Sequence, residues 1–414
     1  MARRVCLISP GNLAANPRLV KEADALQETG YDVTVVVSDY SPGLRSFDDE
    51  IAAKASWKVV RARRSGSERY VGAASRIVAM AIRGVGREVP EPIAARSYGG
   101  PIAGLQKAAC SVPADLYIAH YVAALPAAGR AAFRHGALLG FDAEDFHTGE
   151  GTDTSADQRR MDMAEIVEAT WLPLCRHVTA AAPLIAKAYA ARYAVAMPTT
   201  VLNVFPRGMA PTSRAVSRST DAPLRAYWFS QTIGLDRGLQ PFIQAMALAN
   251  RPVELELRGD DRQSHGQTLL AMARDLGIGD RVRLLPMAPP QEMVRLAATY
   301  DLGLSLETSV SENRRLCLTN KIFTYLLAGL PVMMSDTPAQ CLLAPELGAA
   351  AELVSLAEPA GIAVALERLG ARLDNARAEA ARLGRERYNW EIEKSTLQAS
   401  VDRAFTAGGA PWRH

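Results

Sequence analysis

The sequence predicts an α/β protein made of two doubly wound, mostly parallel sheets. Three observations carry that expectation. Short apolar runs with the look of strands alternate with helical stretches along almost the whole chain. The alternation is interrupted between Phe205 and Asp221, where Pro206, Gly208, Pro211 and three serines read as an interdomain linker. With 414 residues, the chain is long enough for two or three domains and a large core.

Composition excludes several classes. Hydrophobic residues make up 49% and charged residues 22% of the chain, an ordinary soluble balance. A net charge of +3 and the lack of a basic run with interleaved aromatics argue against nucleic acid. The five cysteines, Cys6, Cys110, Cys175, Cys317 and Cys341, form no CxxC pair and suit reduced thiols in the cytoplasm. No apolar run approaches the ~20 residues that span a bilayer. MARRVCLISPG has too short an apolar run for a signal peptide and reads as a first strand.

Taken in order, Val5 to Ser9 is a strand leading into a loop through Gly11, a residue that lets backbone approach a ligand. Asn16 caps a helix opened by Pro17, whose buried face is Leu19, Ala23 and Leu26. Gly30 ends that helix, and Tyr31 to Val37 is the second strand. This β-loop-α-β opening lacks the GxGxxG dinucleotide fingerprint. Trp57 to Ala62 is a further strand. Between Arg61 and Lys107 nine basic residues face three acidic ones, and Val71, Ile77, Val78, Ala81 and Ile82 fall at helical spacing among Arg69, Arg76, Arg83 and Arg87. That helix reads either as a solvated element packed on its domain or as a face for an anionic acceptor or a membrane surface.

Asp115 to Ala119 is a strand that delivers His120, and Ala137 to Phe141 one that delivers Asp142, Glu144, Asp145 and His147. A helix over about Asp157 to Cys175, a strand at His177 to Ala180, the helix Pro183 to Tyr193 and a closing strand at Val201 to Val204 complete the first domain. After the linker come the strand Leu224 to Phe229, a loop with Ser230, Gly234 and Arg237, the helix Gly238 to Ala249, and a strand ending at Gly259. A helix at Gln267 to Leu276, a strand at Val282 to Leu285 and a helix at Gln291 to Ala298 follow, and a long helix from Ala357 to Arg387 precedes the last one, which ends near Phe405.

The stretch from Asp301 to Pro338 carries the clearest chemistry. Leu302, Leu304 and Leu306 alternate as a buried strand ending at Glu307. A polar loop with two arginines leads to Thr319-Asn320-Lys321, the start of a helix that stops at Gly329, and Pro331 to Met334 is the next strand. A helix N-terminus offers free N–H donors and the positive end of a dipole, and Lys321 adds a full charge. A lysine placed there works against the dipole unless an anion accompanies it. The pattern predicts a phosphate site.

The wording of that stretch is also familiar. Asn320-Lys321-Ile322-Phe323-Thr324-Tyr325-Leu326-Leu327-Ala328-Gly329-Leu330-Pro331-Val332 resembles the NKLFEYLAAGLPV signature of GT-B glycosyltransferases of the glycogen-synthase-like, family-four type. Further segments are similar in the same order: Asn16-Pro17-Arg18-Leu19, Tyr117 to His120, Asp142 to His147, Leu202 to Gly208, Gly234 with Arg237-Gly238-Leu239, and Tyr388-Asn389-Trp390-Glu391. The resemblance implies two Rossmann-like domains facing across a cleft: an acceptor-binding domain over 1–205, a nucleotide-sugar-binding domain over 206–385, and a closing helix over 386–414 that returns to the first. It implies no metal and no cofactor beyond a UDP- or GDP-sugar co-substrate, and no Asp-x-Asp is present to hold one. One departure stands out. The family's two glutamates, with seven residues between them, fall on Leu316 and Thr324 here, which leaves retention or inversion open.

Roles follow as expectations. Lys321 and Arg237 would neutralise the leaving diphosphate, His120 would sit near the sugar, and Asp145 belongs to a cluster that could supply a base for the acceptor hydroxyl. Donor contacts are expected from Gly11, Ser230, Gly234, Gly259, Glu307, Asn320 and Thr324, and acceptor contacts from Asn16, Arg18 and His147. Each has a plainer reading as a cap, a turn or a packed polar residue. The acceptor is a glycan, a lipid-linked sugar or another hydroxyl compound, and the protein is expected in the cytoplasm, with contact at the inner face of the membrane left open. The alternatives are a nucleotide-sugar epimerase and a non-catalytic nucleotide-sugar-binding protein.

Overall fold

The computed structural model describes residues 2–39, 41–63, 66–152, 154–212 and 222–406; the expected linker lies largely outside them, at 213–221. These residues divide into two units, one of residues 1–201, 311–313 and 394–414, the other of Leu202–Val310 and Arg314–Glu393.

The first unit is a parallel sheet of β1 (Arg4–Ile8), β2 (Asp32–Ser38), β3 (Lys58–Ala62), β4 (Leu116–His120), β5 (Leu138–Ala143), β6 (Cys175–Ala180) and β7 (Thr199–Thr200), in the order β3-β2-β1-β4-β5-β6-β7. Its strands are apolar runs without strict alternation because helices cover both faces of a parallel sheet. The helix Pro17–Glu28 starts where Asn16 accepts a hydrogen bond from the Leu19 N–H at 3.0 Å. It buries Leu19, Ala23 and Leu26 against Val5, Leu7, Val33 and Val35, and each fully buried leucine contributes roughly 1.5–3 kcal/mol. The second unit repeats the plan with β8 (Leu224–Thr232), β9 (Val253–Asp260), β10 (Val282–Leu285), β11 (Leu302–Ser305), β12 (Val332–Ser335) and β13 (Ala351–Val354), in the order β10-β9-β8-β11-β12-β13. In both sheets the strand order reverses beside the first strand of the unit, between β1 and β4 and between β8 and β11. Ligands of doubly wound sheets bind at the strand carboxyl ends beside such a reversal.

Several elements depart from the sequence reading. The expected long helix at Ala357 to Arg387 is two, Pro359–Ala371 and Leu373–Glu386, broken at Arg372. Val201 to Val204 is not a strand; only Thr199–Thr200 pairs with β6. The basic segment holds three helices, Glu68–Gly84, Glu91–Tyr98 and Ile102–Cys110. The helices Arg45–Lys54 and Pro338–Leu347, and β13, have no counterpart in the sequence reading. The last helix, Trp390–Thr406, contributes Lys394 onward to the first unit. There Tyr31 stacks on Phe405 with ring centroids 5.9 Å apart, and Gln398 donates to the Ala25 carbonyl at 3.1 Å.

β11 is held by an aromatic that needs a glycine beneath it. The Tyr325 hydroxyl donates to the Tyr227 carbonyl at 3.1 Å, and a Cβ on Gly303 would lie 2.3 Å from the Tyr325 ring. Gly303→Ala is therefore expected to lower unfolding free energy by about 1–3 kcal/mol, the usual cost of overpacking a core. The shift in urea midpoint measures it, and a neutral result would show that Tyr325 has room to retreat.

Candidate functional site

The phosphate-binding elements read from the sequence meet at the reversal between β8 and β11. Glu307 follows the end of β11 and is almost fully buried, with three cations around it. Lys321 Nζ donates to its Oε1 at 2.8 Å, Arg237 Nη1 lies 3.6 Å from Oε2, and Arg314 Nη1 lies 3.7 Å from Oε2. Burial alone would push the Glu307 carboxyl up, but Lys321, then Arg237 and Arg314, pull it below the usual carboxylate range. Glu307 is thus the anion that the helix-start lysine requires.

The loop from Ser230 to Arg237 is tied to the same place. Arg314 donates to the Asp236 carbonyl at 2.9 Å and pairs with its carboxylate at 2.6 Å, and the Thr308 hydroxyl also reaches that carbonyl. Gly238 holds φ +65° at the helix start, where a Cβ would lie 2.8 Å from the Leu306 carbonyl. Gly259 passes so close to Ser230 that a Cβ would meet its carbonyl at 2.9 Å. A Cβ on Gly234 would meet the Asp236 carboxylate at 2.6 Å. Asn320 is exposed at the helix start.

The three cations differ in what they have left to give. Lys321 is buried and bonded to Glu307. The side chains of Arg237 and Arg314 keep 26% and 19% of their surface exposed. The buried Nε of Arg237 has no hydrogen-bond acceptor among the described residues: the Asp236 carboxylate stands 3.7 Å from it, and Glu307 lies 3.6 Å from Nη1 instead. A buried N–H left unpaired costs about 1–3 kcal/mol. A phosphate oxygen would satisfy it. Arg314 was legible in the sequence only as one of two loop arginines, and nothing in its spacing marked it.

Two sequence expectations change here. Thr324 is fully buried, and its hydroxyl donates to the Asn320 carbonyl one turn back at 2.8 Å, so it faces its own helix and not a donor. Glu307, expected as a donor contact, is not a free carboxylate, because Lys321 holds it.

In the first unit, the residues expected near sugar and acceptor sit at the start of the helix after β1 and at the ends of β4 and β5. Arg18 is buried and grips Asp142 through two hydrogen bonds of 2.7 and 2.8 Å, with a third to the Val201 carbonyl. Its expected contact with an acceptor is corrected: the guanidinium is committed inside the domain. His120 is 1% exposed and lies between two carboxylates, Nε2 3.0 Å from Glu22 and Nδ1 3.4 Å from Asp142, with neither nitrogen aligned for a good hydrogen bond. Burial works against its protonation, yet Glu22 and Asp142 together raise its pKa. An imidazolium makes the set Arg18, Glu22, His120 and Asp142 neutral, which a buried cluster needs. The sequence did not single out Glu22, although its place one turn after Arg18 puts both on one helix face.

Glu22, His120 and Asp142 bring ligand atoms within 4.8 Å of one another. The set does not suit a cation: Asp142 already receives Arg18 on both oxygens and Thr179 at 2.6 Å, and His120 turns its two nitrogens toward different carboxylates.

Asn16 serves as the helix cap, and its Nδ2 is a buried donor without a partner among the described residues. A Cβ on Gly11 would meet nothing within 4 Å, so the loop after β1 is open there. His147 is buried with Nδ1 2.6 Å from Glu150. Burial opposes its charge, but Glu150 and Glu168 raise it to about 9. Burial also pushes the Glu144 and Asp145 carboxyls up. Tyr121, beside them after β4, holds φ 67° and ψ 151°, a region that only glycine enters freely. Such strain marks functional strand ends.

No family model matches the chain, and no curated protein matches it. Solved structures do. HepE of Anabaena, in complex with UDP, is 15% identical with a TM-score of 0.68, over 97% of this chain and 99% of its own. Sucrose-phosphate synthase of Thermosynechococcus elongatus is 14% identical with a TM-score of 0.70, over 98% and 100%. The lipopolysaccharide outer core galactosyltransferase WaaB is 12% identical with a TM-score of 0.63, over 98% and 100%. The fold is GT-B.

Burial pushes the pKa of the buried His177 down, whereas His120 and His147 carry pKa values above that of an unfolded histidine, ~6.5. Their contribution to stability is complete below that pH and is lost as pH rises through the folded value, for His147 about 9. Unfolding free energy should therefore fall between pH 6.5 and 9, and Glu150→Gln should flatten the fall. Denaturant titrations at the two pH values test this; an unchanged slope in the variant would remove the His147–Glu150 pair as its source.

Proposed function

We propose that this chain is a glycosyltransferase that moves a sugar from a UDP- or GDP-sugar to an acceptor hydroxyl. The observation that carries the reading is the part-buried guanidinium of Arg237, whose Nε has no hydrogen-bond acceptor among the described residues, set with Arg314 beside Glu307 at the strand reversal of the second unit. A diphosphate gains negative charge as the glycosidic bond breaks, and fixed cations at that point lower the barrier. Arg237 and Arg314 take the phosphate oxygens. Lys321 and Glu307 sit behind them and hold the cations apart, so that no reorganisation is needed when charge develops. Among metal-dependent transferases a divalent ion fills this place; here three side-chain cations do, and transfer proceeds without a metal. That a neighbour of the same fold was crystallised with UDP supports a nucleotide donor.

The acceptor hydroxyl loses its proton to Asp145 or Glu144, the two carboxylates after β5 whose pKa burial has raised. His120 acts through Asp142 and Glu22 as a positioning residue for the end of β4. The transferred unit is a hexose, and the acceptor a glycan, a lipid-linked sugar or another glycoconjugate made in the cytoplasm. Thr324, turned into its helix, favours a second reading: a protein that binds a nucleotide sugar without transferring it.

A thermal-shift screen of UDP- and GDP-sugars, followed by calorimetry and assays for released nucleotide, tests both. Release of nucleotide with a new glycosidic product supports transfer, and tight binding without release on any acceptor supports the second reading. Release with an epimerised free sugar would replace both with an isomerase. Arg237→Ala and Arg314→Ala should each weaken nucleotide diphosphate binding by about 1.5–3 kcal/mol, the worth of a charge-assisted hydrogen bond, with little change in stability. Lys321→Ala should lose affinity and also about 3–5 kcal/mol of stability, because it strands a buried carboxylate. Unchanged affinity in all three variants would move the site elsewhere.

A further inference from the structure

The helix Glu68–Gly84 is mounted with its apolar side outward. Its inward stripe is Gly72, Ser75, Ala79 and Ile82, of which Ala79 alone is fully buried. The small residues bring it close to its neighbour: a Cβ on Gly72 would meet the Arg96 carbonyl at 3.4 Å. Tyr70, Val71, Ile77, Val78, Met80 and Val85 are instead 79, 44, 63, 44, 50 and 71% exposed. At 3.6 residues per turn these six fall on one broad face along the whole helix. A surface helix of a globular domain buries such a face. This one does not.

The charges sort themselves on the same geometry. Arg69, Arg76 and Arg83 lie along one flank of the apolar face, and Arg87 follows just past the helix. Arg83 pairs with Asp162. Arg69, Arg76 and Arg87 are exposed, with no acidic partner among the described residues. Glu68, the acidic residue of the helix, is half-buried on the inward side. A continuous apolar face bordered by unpaired arginines is the build of a helix that lies in a membrane interface. An exposed tyrosine at one end, apolar in body and polar at the tip, suits the same boundary. No helix among the described residues is long and apolar enough to cross a membrane, so the contact is one of surface.

We propose that Glu68–Gly84 is the docking surface of this protein for an anionic lipid bilayer, its apolar face in the headgroup region and Arg69, Arg76 and Arg87 on lipid phosphates. The inference stands apart from the reading of the donor site and does not depend on it. Co-sedimentation of the full chain tests it, with vesicles of phosphatidylcholine alone and of phosphatidylcholine mixed with phosphatidylglycerol. The protein is expected to pellet with the mixed vesicles, to bind the neutral ones far less, and to be released by molar salt. The triple variant Arg69→Gln, Arg76→Gln, Arg87→Gln should bind the mixed vesicles roughly 100-fold more weakly, at about fivefold per arginine. Ile77→Glu should abolish binding with an unchanged melting temperature, since the side chain is mostly exposed. Failure to pellet with either vesicle overturns the proposal, as does binding that neither variant weakens. It is also overturned if Ile77→Glu converts a dimer into a monomer in sedimentation velocity while vesicles bind neither form, which would make the face a contact between two copies.

Discussion

Between β8 and β11 the crossovers of a parallel sheet leave on opposite faces, and the loops they feed part from one another. That single topological constraint opens the place where Glu307, Lys321, Arg237 and Arg314 meet. Everything chemical in the second unit depends on it. Arg237 comes from the loop after β8, Glu307 from the end of β11, Arg314 from the short helix beyond, and Lys321 from the next helix start. No two of them are helical neighbours or strand partners; the strand order alone gathers them.

The two units treat buried charge in opposite ways. In the first, Arg18, Glu22, His120 and Asp142 close on themselves and become neutral once the imidazole is protonated, so the cluster welds the first helix to β4 and β5. In the second, three cations meet Glu307 and the half-exposed Asp236, which leaves an excess of one positive charge and an arginine N–H without an acceptor. A neutral cluster is structural by its own arithmetic, because it asks for nothing further. A cluster with a surplus and an unpaired donor is poised for an anion. This contrast separates Arg237 from Arg18, although both are arginines at strand ends of one kind of sheet.

Residue patterns in the sequence were enough for the alternation of strands and helices, the Asn16 cap, the stop at Gly329 and the placing of Lys321 at a helix start, because each is written in neighbours a few positions apart. The break at Arg372 was not legible, since the Ala-Arg-Glu composition on both sides favours helix equally. Nor was β13, four residues whose strand character comes from pairing with β12. Thr324 stands where the resemblance places a glutamate and was expected to contact the donor; its rotamer, bonded to the turn before it, took it out of the site.

What the sequence determined by itself is therefore local and periodic: two doubly wound units, a phosphate-friendly helix start, and an amphipathic helix rich in arginine. The tertiary structure decided partners and directions. It set Glu307 against Lys321, locked His120 and Arg18 inside, left Arg237 unsatisfied, and turned the apolar side of Glu68–Gly84 outward. The physical reason is that periodicity states which residues share a face, while only the packing of distant segments states what that face meets.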